Sequence, residues 1–333
     1  MINLNQVHYS PDSSTEKTPE ELKKEELEQI KSKVSLIDPR NPNYEEVGLG
    51  IEITTKGFNG INLDHHKEGD TQETPSAIEQ AYNLKEEEMP LEIKEGKKKM
   101  ATVRPDLDSV GAMATILLKL ENKEEKINKK LIEAIGILDR MGPGVFKKEG
   151  KELLELTEEE FEKVNKICKA ASYNVLIKLR SLPFEEKVYF MKKLLTDEID
   201  EKEIESLYEE NEKDLEKAKK ESKIEDIIDE GGKVKAVFIE GSNLRAMEIG
   251  YEHAPVIIAY NPQFKWPDGH ITPKFTIARY DKYVKFDIKG FLEELKKKNP
   301  KWGGQENIIG SPQGEDPNIS KEEMIELVKK YLG

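Results

Sequence analysis

Cysteine is almost missing from this chain: Cys168 is the only one among 333 residues. A disulfide framework and a thiolate zinc site are thereby excluded. Basic residues are outnumbered, 53 Lys and Arg against 67 Asp and Glu, which leaves a formal net charge of −14. A surface of that sign repels a polyanion, so duplex nucleic acid is not an expected partner. A phosphate-bearing ligand would need a local cationic pocket or bound metal ions. Long apolar runs are absent too, and no stretch reaches the length needed to cross a bilayer. The opening Met1 to Asn5 has no basic segment leading into an apolar one. The expectation is a cytoplasmic protein without a membrane partner.

Length and charge pattern set the organisation. A chain of 333 residues is too long for one small core and predicts two or three units. Residues 1–20 are polar and read as a flexible arm. Thr18-Pro19-Glu20-Glu21 reads as a cap, a proline at the first helical position and an acidic first turn. Two β-prone runs follow within 48–63, the second ending directly in Asp64-His65-His66. Thr74-Pro75-Ser76 opens a helix to about Asn83, and 99–103 is a third strand. Asp108-Ser109 then caps an apolar helix over 110–120. The apolar run 131–138 is either a helix turning into a strand or a strand alone, stopping at Asp139 before the turn Gly142-Pro143-Gly144. Strand, polar loop and helix in this alternation predict an α/β fold with a mostly parallel sheet.

Composition changes over 151–230, where Lys and Glu alternate with apolar residues at helical spacing; this is a helical connecting region. Beyond Gly231-Gly232 a smaller α/β unit is expected over 231–333. Its strands are placed at 234–240, 256–260 and 275–280, and its helices at 243–251, 288–297 and 321–332. A glycine-rich loop covers 302–314.

Histidine is scarce, five in all, and two of them are adjacent after a strand-like run. Acidic and imidazole side chains at the carboxyl ends of parallel strands converge in one crevice. Asp64, His65 and His66 end one such strand, Asp106 and Asp108 another, and Asp139 is placed at a third. Hard carboxylates with imidazole suit manganese or magnesium. Asp106 and Asp108 are one residue apart, so in extended backbone both point the same way. Gly111 permits close approach at the turn. Elsewhere, Arg279 is either half of a surface ion pair or a phosphate clamp. Trp302 is either a core anchor or a stacking platform. His270 sits in a hairpin turn, and His253 lies at a helix C-terminus.

These residues resemble the DHH phosphoesterase superfamily. Asp64-His65-His66 followed by Thr74-Pro75-Ser76-Ala77 is similar to its name-giving motif and the helix start after it. The stretch from Arg104 to Ala112, Arg-Pro-Asp-Leu-Asp-Ser-Val-Gly-Ala, is similar to its metal-binding Asp-x-Asp motif. Gly241-Ser242-Asn243-Leu244-Arg245-Ala246, Trp302-Gly303-Gly304 and Ile309-Gly310-Ser311-Pro312 resemble the associated substrate-binding domain, often called DHHA1. On this likeness 21–150 would be the DHH-like metal-binding domain and 231–333 the substrate-binding one. The order of the two metal motifs is permuted, and Thr102 stands where the family has a histidine.

The resemblance implies hydrolysis of a phosphodiester in a small nucleotide or short oligonucleotide, with two manganese or magnesium ions. His65, His66, Asp106, Asp108 and Asp139 would be metal ligands. Asp64, His66 and Asp108 would form the catalytic group, with Asp64 orienting the imidazoles. Arg104, Arg245, Arg279, Gly303, Gly304 and Ser311 would line the substrate side. Phosphoanhydride hydrolysis, as in a pyrophosphatase or polyphosphatase, is the alternative reaction. A catalytically impaired nucleotide-binding protein is the alternative that Thr102 suggests. A homodimer is compatible with each.

Overall fold

A computed structural model describes residues 17–39, 41–65, 73–228, 232–243, 245–266, 270–279, 284–304, 308–312 and 314–332. The expected arm up to residue 16, and His66, lie outside the described residues.

The Thr18 signature does start a helix, α1 (Pro19–Lys33). Glu21 N–H donates to the Thr18 hydroxyl while Thr18 N–H donates to the Glu21 carboxylate, a reciprocal cap. The helix runs straight into β1 (Val34–Leu36), a strand of three residues that the lysine-rich helix before it conceals in the sequence. The two β-prone runs become β2 (Val47–Ile51) and β3 (Ile61–Leu63). Next come α2 (Ala77–Asn83), the single turn α3 (Leu91–Lys94) and β4 (Lys99–Thr102). These strands pair in parallel throughout, in the order β1-β4-β2-β3. Their carboxyl ends therefore share one edge, as the alternation of elements predicts.

The apolar helix α4 (Leu107–Leu120) begins earlier than expected. Its N-cap is Asp106, which accepts from Ser109 N–H, so Asp108 belongs to the first helical turn and not to a cap or an extended segment. The helix is buried on every side from Leu107 to Leu118. Gly111 lets it approach α2: a Cβ there would fall 2.5 Å from Ile78 Cδ1.

A second correction concerns 131–138. This run lies inside a helix, α5 (Lys129–Leu153), capped by Asn128 accepting from Leu131 N–H. Leu131, Ile132 and Ile135 recur at helical spacing and bury against the first core, which decides for helix over strand. Asp139 is consequently a helical residue and does not end a strand. Gly142 breaks the helix at φ 78 and ψ 162, and Pro143 starts the next segment.

The connecting region is helical as expected: α6 (Glu158–Tyr173), a π-helical turn over Asn174–Lys178, α7 (Phe184–Leu195) and α8 (Glu201–Glu221). A single apolar core runs from Ile30 and Leu49 through α4 and α5 to Phe161, Met191 and Leu207. The region's last residues instead form an edge strand, β5 (Lys223–Ile228).

The second sheet continues with β6 (Val234–Glu240), the helix α9 (Ala246–His253), β7 (Val256–Lys265) and β8 (Ile271–Arg279). After α10 (Ile288–Lys298), the glycine-rich loop contributes two short strands, β9 (Gly303–Gly304) and β10 (Ile308–Gly310), before α11 (Lys321–Leu332). The order is β5-β6-β7-β8-β10-β9, and only β6 with β7 is parallel. Leu215 of α8 and Ile249 of α9 pack on one face with Ile257. Phe291 of α10 and Met324 of α11 pack on the other with Ile258 and Phe275. Among the described residues no helix is long and apolar enough to cross a membrane.

Candidate metal centre

At the carboxyl edge of the parallel sheet, Glu52, His65, Asp108 and Asp139 each present one donor atom, and these atoms lie within 4.8 Å of one another. Glu52 directly follows β2. Its N–H still pairs with Leu63 O on β3, and its φ is +53. Several other non-glycine residues share that left-handed backbone among the described residues, but Glu52 alone of them is buried. The left-handed turn at the strand end accompanies the placement of its carboxylate in the crevice. A left-handed non-glycine residue costs about 1 kcal/mol, and such strain concentrates at functional sites.

His65 follows β3 and is 4 % exposed. Its Nε2 lies 2.8 Å from Asp139 Oδ2 and 3.2 Å from Glu52 Oε1. Asp64 is oriented from the side: Asn62 Nδ2 donates to it over 3.2 Å while the same amide bonds both polar groups of the Ile53 backbone.

Asp108 receives the N-terminus of another helix. Ala77 N–H donates to its Oδ2 at 2.8 Å and Ile78 N–H to Oδ1 at 2.9 Å. Both lie in the first turn of α2, where N–H groups have no acceptor within their own helix, a setting that suits a carboxylate. Asp106 lies beside it, with Oδ1 committed to Ser109 N–H and Oδ2 3.6 Å from Arg104 Nε. Thr102, buried at the end of β4, exchanges hydrogen bonds with the backbone of Arg104 and braces this loop.

Electrostatics reflect the crowding. Burial, then the charges of Asp106, Asp108 and Asp139, push the Glu52 carboxyl well above its ordinary value against the hydrogen bond from His65. Burial first and the Asp139 charge next push Asp108 up as well. Asp106 is raised by burial, opposed by Arg104. For His65, burial favours the neutral ring, but hydrogen bonds to Asp139 and Glu52 prevail and hold it at about 11. Three carboxyls crowded against one imidazolium repel one another, and a divalent cation would offset that repulsion. The donor set is hard oxygen with one nitrogen, and it fits manganese or magnesium.

The sequence-derived candidates divide cleanly by position. His65, Asp108 and Asp139 meet in the cluster, with Asp106 and Asp64 adjoining it; the expected set did not include Glu52. Arg104 is exposed on the loop above. Arg245 is 3 % exposed, and its guanidinium bonds Asp214, Asn211 and Glu248 and covers Tyr173, tying α9 to the connecting helices. Arg279 donates to Phe286 O at 3.1 Å. Gly303 and Gly304 pair with β10 on the far edge of the second sheet, and Gly304 is required there because a Cβ would lie 2.3 Å from Ile308 O. Ser311 extends that pairing by bonding both polar groups of the Phe275 backbone. Trp302 is a core anchor: it is 2 % exposed and donates to Pro317 O.

No family profile and no curated protein matches the chain by sequence. By structure it is similar to a DHH-domain protein described as a member of the s1p family of ribosomal proteins, at 14 % identity and a TM-score of 0.38. That match takes in 66 % of this chain and about half, 52 %, of the other. The chain is also similar to the pGpG-specific phosphodiesterase PggH from Vibrio cholerae, at 10 % identity and a TM-score of 0.37, over 85 % of this chain and 84 % of that one. Both overlaps are loose, and the functional reading rests on the residues of this chain.

Proposed function

We propose that the chain is a metal-dependent phosphoesterase of the DHH type, acting on a phosphodiester of a small nucleotide or short oligonucleotide. The observation that carries this is the cluster of Glu52, His65, Asp108 and Asp139 at one sheet edge. These residues would hold manganese or magnesium, with Asp106 beside them and His66 as a further ligand. Two ions are the expectation. When bound, such ions activate water and offset the charge that builds on a phosphoryl group.

The chain's own groups do the rest. His65 must give up its Nε2 proton to become a ligand there, and the Asp139 and Glu52 carboxylates both lie against that nitrogen. Asp64, fixed by Asn62, orients the neighbouring imidazoles. The amide groups of Ala77 and Ile78 fix the Asp108 carboxylate in one rotamer, so that both its oxygens are already desolvated. Glu52 supplies an anionic donor where Thr102 supplies none, which favours a working centre over an impaired nucleotide binder. In the proposed division, 21–150 carries the centre, 151–230 connects, and 231–333 grips the substrate.

The test is manganese-stimulated cleavage of bis(p-nitrophenyl) phosphate, with metal analysis of the purified protein. Loss of both metal and turnover in Asp108→Ala is the expected result. Unchanged turnover in that variant removes the assignment, and phosphate release from pyrophosphate without diester cleavage moves it to the phosphoanhydride reading.

A further inference from the structure

A cavity of about 410 Å³ opens among α1, the π-helical turn, α7 and α8, a volume within the range of small-molecule sites. None of the four metal-cluster residues lines it. Its wall also has a different chemistry from theirs. The ammonium groups of Lys23, Lys178 and Lys193 line it together with the carboxylates of Glu186, Glu198 and Glu203, so the charges cancel. Phe190 and Leu207, both buried, supply apolar surface.

The π-helical turn builds one side. Leu179 N–H donates to Asn174 O at 2.8 Å, five residues back, and such widened turns are frequent at functional sites. Lys187 of α7 reaches across to donate to Val175 O, which pins the turn against α7. Asn174 lines the cavity while only 5 % exposed, and its side-chain amide has no hydrogen-bond partner among the described residues. A buried amide is costly to leave with donors and acceptor unused, and a bound molecule would complete it.

Two charges are unspent as well. Lys23 pairs with Glu186 at 3.2 Å and Lys178 with Glu210 at 2.9 Å. Among the described residues Lys193 pairs with no carboxylate; its ammonium lies 5.3 Å from the centre of the Tyr189 ring. Glu203, on α8, pairs with no cation among them. The cavity thus offers one cation, one anion, an amide that both donates and accepts, and an apolar surface. A phosphate does not suit it, since three carboxylates in the wall would repel the charge. A small molecule with one charge of each sign and an apolar body does.

We infer that this cavity binds an apolar α-amino acid, its carboxylate on Lys193, its ammonium on Glu203, the Asn174 amide bonding the same polar end, and its side chain against Phe190 and Leu207. Charge-assisted bonds at both ends give the site its selectivity. The site stands apart from the phosphoesterase reading and does not depend on it.

The full chain is titrated calorimetrically with L-leucine and L-phenylalanine, and with the amide and the N-acetyl form of each, which lack one of the two charges. At least one amino acid is expected to bind, and its two blocked forms to bind at least about tenfold more weakly. Lys193→Gln should abolish the discrimination against the amide and keep that against the N-acetyl form. Glu203→Gln should do the reverse. Lys193 is half-buried and Glu203 exposed, so neither change removes a core residue. Absence of binding by both amino acids, or equal binding of the blocked and unblocked forms, overturns the site. So does a discrimination that survives unchanged in both variants.

Discussion

Arg140 grips Glu79 through two bonds, Nε to Oε2 at 2.9 Å and Nη2 to Oε1 at 3.1 Å, one residue along α5 from Asp139. The same Glu79 carboxylate accepts Ser76 N–H at the start of α2. Gly136 makes room for it, since a Cβ there would lie 2.4 Å from the Glu79 carboxyl carbon. One carboxylate thus fixes both the helix that donates to Asp108 and the helix that carries Asp139. Arg140→Ala should weaken manganese affinity by about tenfold or more, a magnitude common for groups that orient ligands. Metal titration followed by thermal shift is the check, and an unchanged affinity would show that α5 needs no such anchor.

Glu52→Gln keeps the shape and removes the charge. Because Glu52 is one of four donors, manganese should bind at least about tenfold more weakly, and the rise in Tm on adding metal should shrink accordingly. Should the variant bind metal as the parent does, Glu52 is no ligand and its left-handed backbone needs another explanation.

The metal-free protein should lose stability as pH rises. His65 is held at about 11 against an ordinary 6.5, so its contribution is complete below the lower value and disappears as pH climbs through the upper one. Glu52 and Asp108 are also raised, and they act in the same direction from the carboxylate range upward. In EDTA, the Tm should therefore fall between about pH 7 and about pH 9, and manganese should flatten the slope by displacing the protons. A metal-free Tm that rises over this interval would contradict the reading of the cluster.

Cys168 provides a probe of the core around the connecting helices. It is 1 % exposed, and burial pushes its thiol up to about 12. A disulfide reagent at about pH 8 should leave it untouched in the native protein and modify it at the rate of unfolding. Rapid native modification would mean that α6 opens locally.

Much of the first sheet was legible because short apolar runs there end in chemically loaded residues. Asp64-His65 after β3 and the Asp-x-Asp stretch after β4 carried the site, and the Ser76 helix start carried α2. Glu52 was not legible. In Gly-Ile-Glu-Ile-Thr-Thr it is a lone carboxylate within a β-prone run, and its left-handed φ of +53 at the strand end is not readable from the sequence. Asp139 was recognised for its chemistry but placed on the wrong element, because a short apolar run followed by Gly-Pro-Gly does not distinguish a strand end from a kinked helix. Arg245 shows a different limit: a motif gives its position after a strand, while partners from two distant helices decide that it is interior.

The four donors come from after β2, after β3, from the first turn of α4 and from the middle of α5. No hairpin or single helix of this chain holds more than a fraction of the centre. Bringing these stretches together incurs the entropy of several long loops, so the ion is rewarded only once the sheet has closed. Its grip then acts on the route out of the native state: metal should slow unfolding far more than it hastens folding.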